Sequence, residues 1–392
     1  MSVISRKNAL RFVVLLGFVS LLADITYEGA RSITGQFLAA LGASGTVVGV
    51  VAGFGELAGY GLRLVSGWIS DRTRRYWAVT LAGYCVNLLA VPLLALAGRW
   101  EVAAALMIAE RVGKALRNPP RDAMLSHATA ELGRGWGFGL HEAMDQAGAV
   151  AGPLIVAAVI HARSGFRTAF AILLVPALFA LAILVVARFL YPRPQDLESG
   201  PRRLEAKGFP RVFWLYLGAV ALVAAGYVDF PLIAYHFQKN SVVSATWIPL
   251  FYAVAMGVDA LAALVFGRLF DRIGLTTLAL VSLLSALFAP LTFLGGFSMA
   301  LAGMALWGVG MGAQESVMRA AVAGMVGRDQ RATAYGVFNA GYGLIWFLGS
   351  ALMGVLYDVS IPALIAFSML TQICSAPLFL ICGKRFRLSG QA

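Results

Sequence analysis

Asp24, Glu28 and Arg31 fall in the segment ADITYEGARS at i, i+4 and i+7, which puts all three on one face of a helix. The sequence on either side is apolar, so the stripe stands where charge is costly and usually functional. Two carboxylates this close in a low-dielectric setting, with an arginine beside them, can trade a proton or stay ionised as a brace against a neighbouring helix. A second stripe, Glu110, Lys114, Arg117 and Arg121, recurs at i, i+4, i+7 and i+11. Lys114 and the adjacent Arg111 suit an anionic ligand or the acids of the first stripe, whereas Arg117 and Arg121 suit a carboxylate partner such as Asp71 or Asp122. His141, Glu142 and Asp145 form a third group, with His141 and Asp145 four residues apart. Histidine and carboxylate are ligands for transition metals, but two groups do not make a site; no metal is expected, and Asp145 reads as a further protonatable group.

Membrane-crossing helices must position these residues. The 392-residue chain is 60% hydrophobic and 13% charged, where a soluble domain carries about a quarter charged residues. A helix needs ~20 mostly apolar residues to cross the hydrocarbon. Twelve such runs centre on residues 10–38, 46–69, 77–97, 102–120, 135–160, 168–190, 211–235, 245–266, 276–295, 299–320, 334–357 and 362–383. The pattern predicts an all-α membrane protein with no soluble catalytic domain. The first run is too long for a signal-peptide core and lacks a small-residue cleavage site, so it is expected to remain as a membrane helix. Pro119 and Pro120 are expected to stop the fourth run at RNPPRD. The longest connection, YPRPQDLESGPRRLEAKGFP at 191–210, reads as a linker between residues 1–190 and 211–392.

The formal charge of +12 does not signal nucleic acid, because the bases crowd onto alternate connections. Arg72, Arg74, Arg75, Arg202, Arg203, Lys207, Lys384, Arg385 and Arg387 lie on one side, against Arg99, Arg163, Arg167 and Lys239 on the other. By the positive-inside rule both termini and the linker are cytoplasmic. Cys85, Cys374 and Cys382 lie within apolar runs and read as packing residues, while His127, His161 and His236 lie near run ends and read as interfacial.

The second half of the chain restates the first. GWISDRTRR at 67–75 follows the second run and GRLFDRIG at 267–274 follows the eighth; Arg134-x-x-x-Phe138-Gly139 opens the fifth run and Arg331-x-x-x-Tyr335-Gly336 the eleventh. The first motif resembles the Gly-x-x-x-Asp-Arg-x-Gly-Arg-Arg signature of the major facilitator superfamily (MFS), and the second resembles its degenerate copy; the likeness covers the whole chain. Arg74 stands where that signature has glycine, and Gly274 keeps it. The resemblance implies two pseudo-symmetric six-helix bundles of twelve transmembrane helices in all, with the site near mid-membrane between halves that rock. It also implies a gate in which Asp71 meets the start of the eleventh helix near Ala334 to Gly336, and Asp271 the start of the fifth near Gly135 to Gly139. A carboxylate facing a helix N-terminus is worth roughly 0.3 to 2 kcal/mol. Arg72, Arg272, Arg117 and Arg121 complete that gating set; the plain alternative for Arg72 and Arg272 is a role as positive-inside anchors. Gly148-x-x-x-Gly152-Pro153 resembles a motif of proton-coupled MFS exporters, and its plain alternative is close helix packing.

Charge placement repeats every third run. The stretches 78–98, 168–186, 276–296 and 362–383 of runs 3, 6, 9 and 12 hold no charged residue and can face lipid; run 1 holds Asp24, Glu28 and Arg31, run 4 holds Glu110, Arg111, Lys114 and Arg117, run 7 holds Asp229, and run 10 holds Glu315 and Arg319. In the family, the polar four line the central cavity. On this reading Asp24, Glu28 and Asp145 couple protons, while Arg31, Glu110, Arg111, Lys114, Asp229 and Glu315 contact substrate. Tyr27, Trp307, Tyr342 and Trp346 line the cavity or only pack.

The chain has no Walker-type phosphate loop, no His-Glu-x-x-His and no Gly-x-Ser-x-Gly, so no enzyme and no cofactor is indicated. The expectation is a monomeric secondary transporter of the bacterial inner membrane, exporting a small-molecule drug or metabolite in exchange for protons. An importer of an anionic metabolite, an amphiphile or lipid translocator, and a non-transporting membrane sensor are the alternatives.

Overall fold

In a computed structural model the described residues are 6–129, 134–162, 164–192, 209–325 and 331–389. They hold fifteen α-helices, one 3-10 turn at Leu94–Leu96 and no strand. The first five runs are α1 (Arg6–Ala40), α2 (Gly45–Thr73), α3 (Tyr76–Leu93), α4 (Trp100–Thr129) and α5 (Arg134–His161). The sixth is split into α6 (Gly165–Ile172) and α7 (Leu174–Leu190), and the seventh into α8 (Arg211–Gly226) and α9 (Phe230–Lys239). The eighth is α10 (Trp247–Ile273), and the ninth splits into α11 (Thr276–Ser285) and α12 (Phe288–Leu294). The last three are α13 (Phe297–Met325), α14 (Arg331–Val359) and α15 (Ile361–Ser389). Among the described residues ten spans, each split pair counting once, are long and apolar enough to cross a membrane. The runs outside those ten are α4 and α13, which have 30 and 29 residues but more polar sequences. Most of the expected linker, 193–208, lies outside the described residues.

The chain forms two compact units, Met1–Ile33 with Ala58–Arg202, and Thr34–Leu57 with Arg203–Ala392. In the first, α3 packs along α4 and α7; in the second, α13 packs along α10, and α15 along α8. The expected boundary at 191–210 does not separate residues 34–57, the tip of the α1–α2 hairpin, which belong to the second unit.

Each split run has the same cause. Pro176, Pro231 and Pro290 stand at the second or third position of α7, α9 and α12. A proline cannot bond to the carbonyl four residues back and its ring crowds that carbonyl, so the preceding helix ends there. Other prolines do not break their helices. The fourth run was expected to stop at Pro119 and Pro120, yet α4 continues through both to Thr129. Pro120 leaves the Leu116 carbonyl without its helical donor, and the Ser66 hydroxyl of α2 donates to that oxygen at 2.6 Å. A neighbouring side chain thus replaces the lost bond, as membrane helices require.

The apolar outer faces lie largely where expected. In the first unit α3 and α7 expose Val86, Leu89, Leu178, Phe179 and Phe189, whereas α1 and α4 expose only Phe18 and Val102 among large hydrophobic residues. In the second unit α11 and α15 expose Leu280, Leu283, Leu370 and Ile373, whereas the α8–α9 run exposes only Trp214. Two cysteines depart from the packing role expected of them. Cys85 and Cys374 are exposed on these outer faces, and Cys382 alone of the three is buried. His161 is exposed, whereas His236, expected at an interface, is 3% exposed among Tyr357, Phe293 and Asn240. The side chain of His127 lies outside the described residues.

The loop motif shows what its departure from glycine entails. Arg74 has φ 54° and Gly274 has φ 63°, so both copies turn through positive φ. Gly274 does so without strain, but an L-residue there loses about 1 kcal/mol to the clash of its Cβ. Arg74→Gly is expected to raise stability by about that amount, read as a higher melting temperature in detergent. Ser66→Ala removes the donor on the Leu116 carbonyl and is expected to lower stability by about 1 kcal/mol in the same assay.

Candidate functional site

Glycines bring the charged helices of the first unit together. On α5, a Cβ at Gly148 would meet Asp24 Cβ at 2.8 Å, and one at Gly152 would meet Gly29 N at 2.8 Å. Between α3 and α4, a Cβ at Gly83 would meet Arg117 N at 2.6 Å, and one at Gly113 would meet Asn87 Cα at 2.7 Å. Only hydrogen fits at these four positions, so α1, α3, α4 and α5 approach backbone to backbone. Pro153 lies within α5 without ending it.

The close approach gathers a polar cluster. Asp24 and Glu28 are 6% and 7% exposed on α1, facing Lys114 and Arg117 of α4. Lys114 Nζ sits 3.7 Å from Glu28 Oε1 and 3.9 Å from the centre of the Tyr27 ring. Arg117, 1% exposed, has its guanidinium 4.3 Å from the Tyr84 ring and 5.4 Å from that of Tyr27. Cation–π contacts of this kind gain strength when desolvated. Asn87 Nδ2 donates to Glu110 Oε1 at 2.8 Å, and Arg111 Nε lies 3.3 Å from Glu110 Oε2. Asp24 stands in the field of Asp145, Lys114, Arg117 and Glu28, with one carboxylate oxygen buried and unbonded.

A chain of bonds continues towards α5. Arg121 Nη1 donates to Ser20 Oγ at 3.1 Å, and its Nη2 lies 2.8 Å from Asp122 Oδ1. Ser20 Oγ lies 2.9 Å from His141 Nε2, and His141 Nδ1 lies 3.5 Å from Asp145 Oδ2. Ser20 therefore links Arg121 to His141, whose other ring nitrogen faces Asp145. Asp24, Glu28, Asp145, Glu110, Arg111, Lys114, Arg117 and Arg121 are thus brought into one neighbourhood. Among the described residues no three His, Cys, Asp or Glu side chains group as metal ligands.

The remaining expected residues lie elsewhere. Arg31 is partly exposed one turn beyond Glu28. Asp229 is 3% exposed in the second unit, where it caps α9 by accepting from Phe230 N at 2.9 Å. Asp271 and Arg272 are exposed in the last turn of α10, and Arg72 is exposed in that of α2, stacked 5.1 Å from the Trp68 ring. The side chains of Asp71 and Glu315, and of Gly135 to Gly139, lie outside the described residues. Trp307 is fully buried; its Nε1 donates to Val228 O at 2.9 Å, and Tyr227 donates its hydroxyl proton to Trp307 O. Tyr342 donates to Gln314 Oε1 at 2.8 Å.

Several polar residues were not singled out from the sequence. Asp259 is 2% exposed on α10 against Gly312 of α13, and Glu56 and Arg63 lie on α2. Asp259 is a lone charge in an apolar run, the same signal that picked out Asp229, and Glu56 and Arg63 are two charges within another. Ser20, Tyr84 and Asn87 carry no charge and had no such signal. Gly148→Val is expected to push α5 off α1, lowering the melting temperature and the yield of folded protein, since overpacking costs typically 1–3 kcal/mol.

Comparison with known proteins agrees with the fold. The profile of the Major Facilitator Superfamily matches residues 15–350 and 215–385. An uncharacterized protein of Mycobacterium tuberculosis is 47% identical over 365 residues, covering 91% of this chain and 89% of its own. An uncharacterized MFS-type transporter of Methanocaldococcus jannaschii is 26% identical over 383 residues, covering 94% of each. Among solved structures, the nucleoside transporter NupG aligns with TM-score 0.71 at 14% identity, over 96% of this chain and 99% of its own. The POT family transporter PepTSo aligns with TM-score 0.76 at 12% identity, over 96% and 98%. A bacterial homolog of the human lysosomal transporter Spinster aligns with TM-score 0.71 at 16% identity, over 100% and 98%.

Proposed function

The chain belongs to the major facilitator superfamily and is a multi-pass membrane transporter, and on that premise we propose that it exports a small molecule across the inner membrane in exchange for protons. One observation carries the coupling: Lys114 stands 3.7 Å from Glu28, with Asp24 and Asp145 close by, in a buried setting on α1, α4 and α5. A buried ion pair holds only while both partners are charged. Protonation of Glu28 or Asp24 releases Lys114, and loss of the proton restores the pair, so proton binding and helix contact exclude one another. His141, held by Ser20, faces Asp145 and offers it a second proton carrier.

Export is the direction suggested by the Gly148-x-x-x-Gly152-Pro153 likeness. In the proposed topology all twelve runs span, α4 and α13 included, both termini are cytoplasmic and the protein is a monomer. Asp71 and Asp271 are its gating carboxylates. Import of an anionic metabolite is favoured by one feature, the Nε and Nη1 of Arg117, buried without a hydrogen-bond acceptor. The neighbours of similar fold carry names as different as nucleoside and peptide transporter, so the substrate has to be found by a thermal-shift screen of chemically diverse ligands.

The test uses proteoliposomes with an imposed pH gradient and a ligand from that screen. The expected result is ligand-dependent proton movement and ligand accumulation against its gradient. Asp24→Asn and Glu28→Gln should abolish accumulation while leaving ligand exchange measurable. Accumulation unaltered in both variants would refute the coupling, and a complete lack of ligand-dependent flux would favour the sensor.

A further inference from the structure

The hairpin of α1 and α2 ends in a contact that the loop motifs do not announce. An α-helix leaves its first four backbone N–H groups without helical acceptors. In α2 the outer two are satisfied from far along the chain: Gly45 N donates to Asp358 Oδ1 at 3.0 Å and Thr46 N to Asp358 Oδ2 at 2.7 Å. The Thr46 hydroxyl adds a third bond to Oδ2, at 2.7 Å. The third, Val47 N, turns to Ser44 Oγ at 3.2 Å, and Val48 N makes the first helical bond, to the Ser44 carbonyl at 3.1 Å. Asp358 therefore serves as a second cap, placed in the last turn of α14, and its charge opposes the positive end of the α2 dipole.

Close packing continues inward from the cap. A Cβ at Gly49 would lie 2.9 Å from Gly354 Cα, and one at Gly53 would lie 2.8 Å from Ser350 Cβ, so Gly45, Gly49 and Gly53 form one strip of α2 against α14. Phe54 and Phe347 meet edge to face at 6.0 Å. The end of α1 lies against the other wall, since a Cβ at Gly35 would meet Tyr235 N at 2.9 Å on α9. The residue before the cap is held in turn. Tyr357 Oη lies 3.2 Å from His236 Nδ1 and accepts from Asn240 Nδ2 at 3.0 Å, while Lys239 lies 5.7 Å from the Tyr357 ring and in the field of Asp358.

Residues 34–57 are counted with the second compact unit because of these contacts, although the rest of α1 and α2 belongs to the first. We propose that Asp358 is a gating residue of the transport cycle: capping α2, it fastens the α1–α2 tip to α14, and its release frees the tip to move with the remainder of its helices. Asp358 is exposed, so water can take over its three bonds when the contact parts. This role rests on the transporter reading and assigns a gate to the N-terminal end of α2, the end opposite the loop motif at 67–75.

Ser350, 2% exposed under the strip and with an unbonded hydroxyl, supplies the test position. Ser350→Cys is made in a full-length chain with Cys85, Cys374 and Cys382 replaced by serine, and proteoliposomes are treated with a membrane-impermeant maleimide. Asp358→Ala should speed labelling about fivefold or more, the factor expected when a bond-sized share of closed-state stability is lost. Thr46→Val, which removes only the hydroxyl bond, should give a smaller increase. If Asp358→Ala lowers the yield of folded protein, Asp358→Asn and Thr46→Val carry the measurement. Labelling at the parental rate in every variant that stays folded overturns the gate. Faster labelling without any ligand-dependent flux would leave the latch standing and count against transport, whereas parental labelling with intact flux would remove the latch and leave transport standing.

Discussion

A charge buried within a membrane protein needs an opposite charge, a polarisable ring or a proton, and the packing of α1 on α4 and α5 follows from that need. Lys114 takes a carboxylate and a ring, Arg117 takes two rings, and Arg121 takes a carboxylate and a hydroxyl. Such contacts require the helices to come within a few ångströms of one another. That is why Gly83, Gly113, Gly148 and Gly152 stand where a single methyl group would collide with the facing helix. The glycine spacing and the charge spacing are two sides of one requirement. Larger residues would separate Glu28 from Lys114 and leave each desolvated alone, the costly case for buried pairs.

Backbone groups obey the same accounting as charges. Where Pro231 splits the seventh run, two freed carbonyls find partners on other helices, Gly226 O accepting from Ser368 Oγ at 2.7 Å and Val228 O from Trp307 Nε1 at 2.9 Å, while Phe230 N donates to the neighbouring Asp229 side chain at 2.9 Å. Tyr227, Phe230, Tyr252 and Trp346 then pack around this break. The break is therefore a fixed feature of the second unit, and Asp229 serves it as a cap. The first unit concentrates charges that can change; the second concentrates aromatic contacts that have little reason to.

Much of this was legible in the sequence because it is local and periodic. The helical face shared by Asp24 and Glu28, the tight spacing of Gly148 and Gly152, the uncharged outer runs and the repeated loop motif are all statements about residues a few positions apart. Pairings across the chain were not legible. Nothing near Pro120 says that Ser66 will take up the Leu116 carbonyl, so the fourth run was expected to stop where it continues. Nothing near Gly45 says that its amide will find Asp358. His236 looked interfacial because its distance from the run end was visible, whereas the Tyr357 hydroxyl and the Phe293 ring that bury it were not. Arg74 is an intermediate case: its departure from glycine was plain, but only the dihedral shows that the residue takes a positive φ all the same.

Burial also sorts the charged contacts by what can break them. At the rim, Asp358 is exposed and water can replace Gly45 and Thr46 one bond at a time, so opening there needs no change of protonation. Deep in the first unit no such substitution is at hand, and parting Glu28 from Lys114 with both still charged would leave two uncompensated ions in a low dielectric. A rim contact of this kind can time a movement but cannot tie it to a proton. If transport is coupled, the coupling must therefore lie at the buried carboxylates, and the exposed caps can only set how readily each face yields once those carboxylates have changed state.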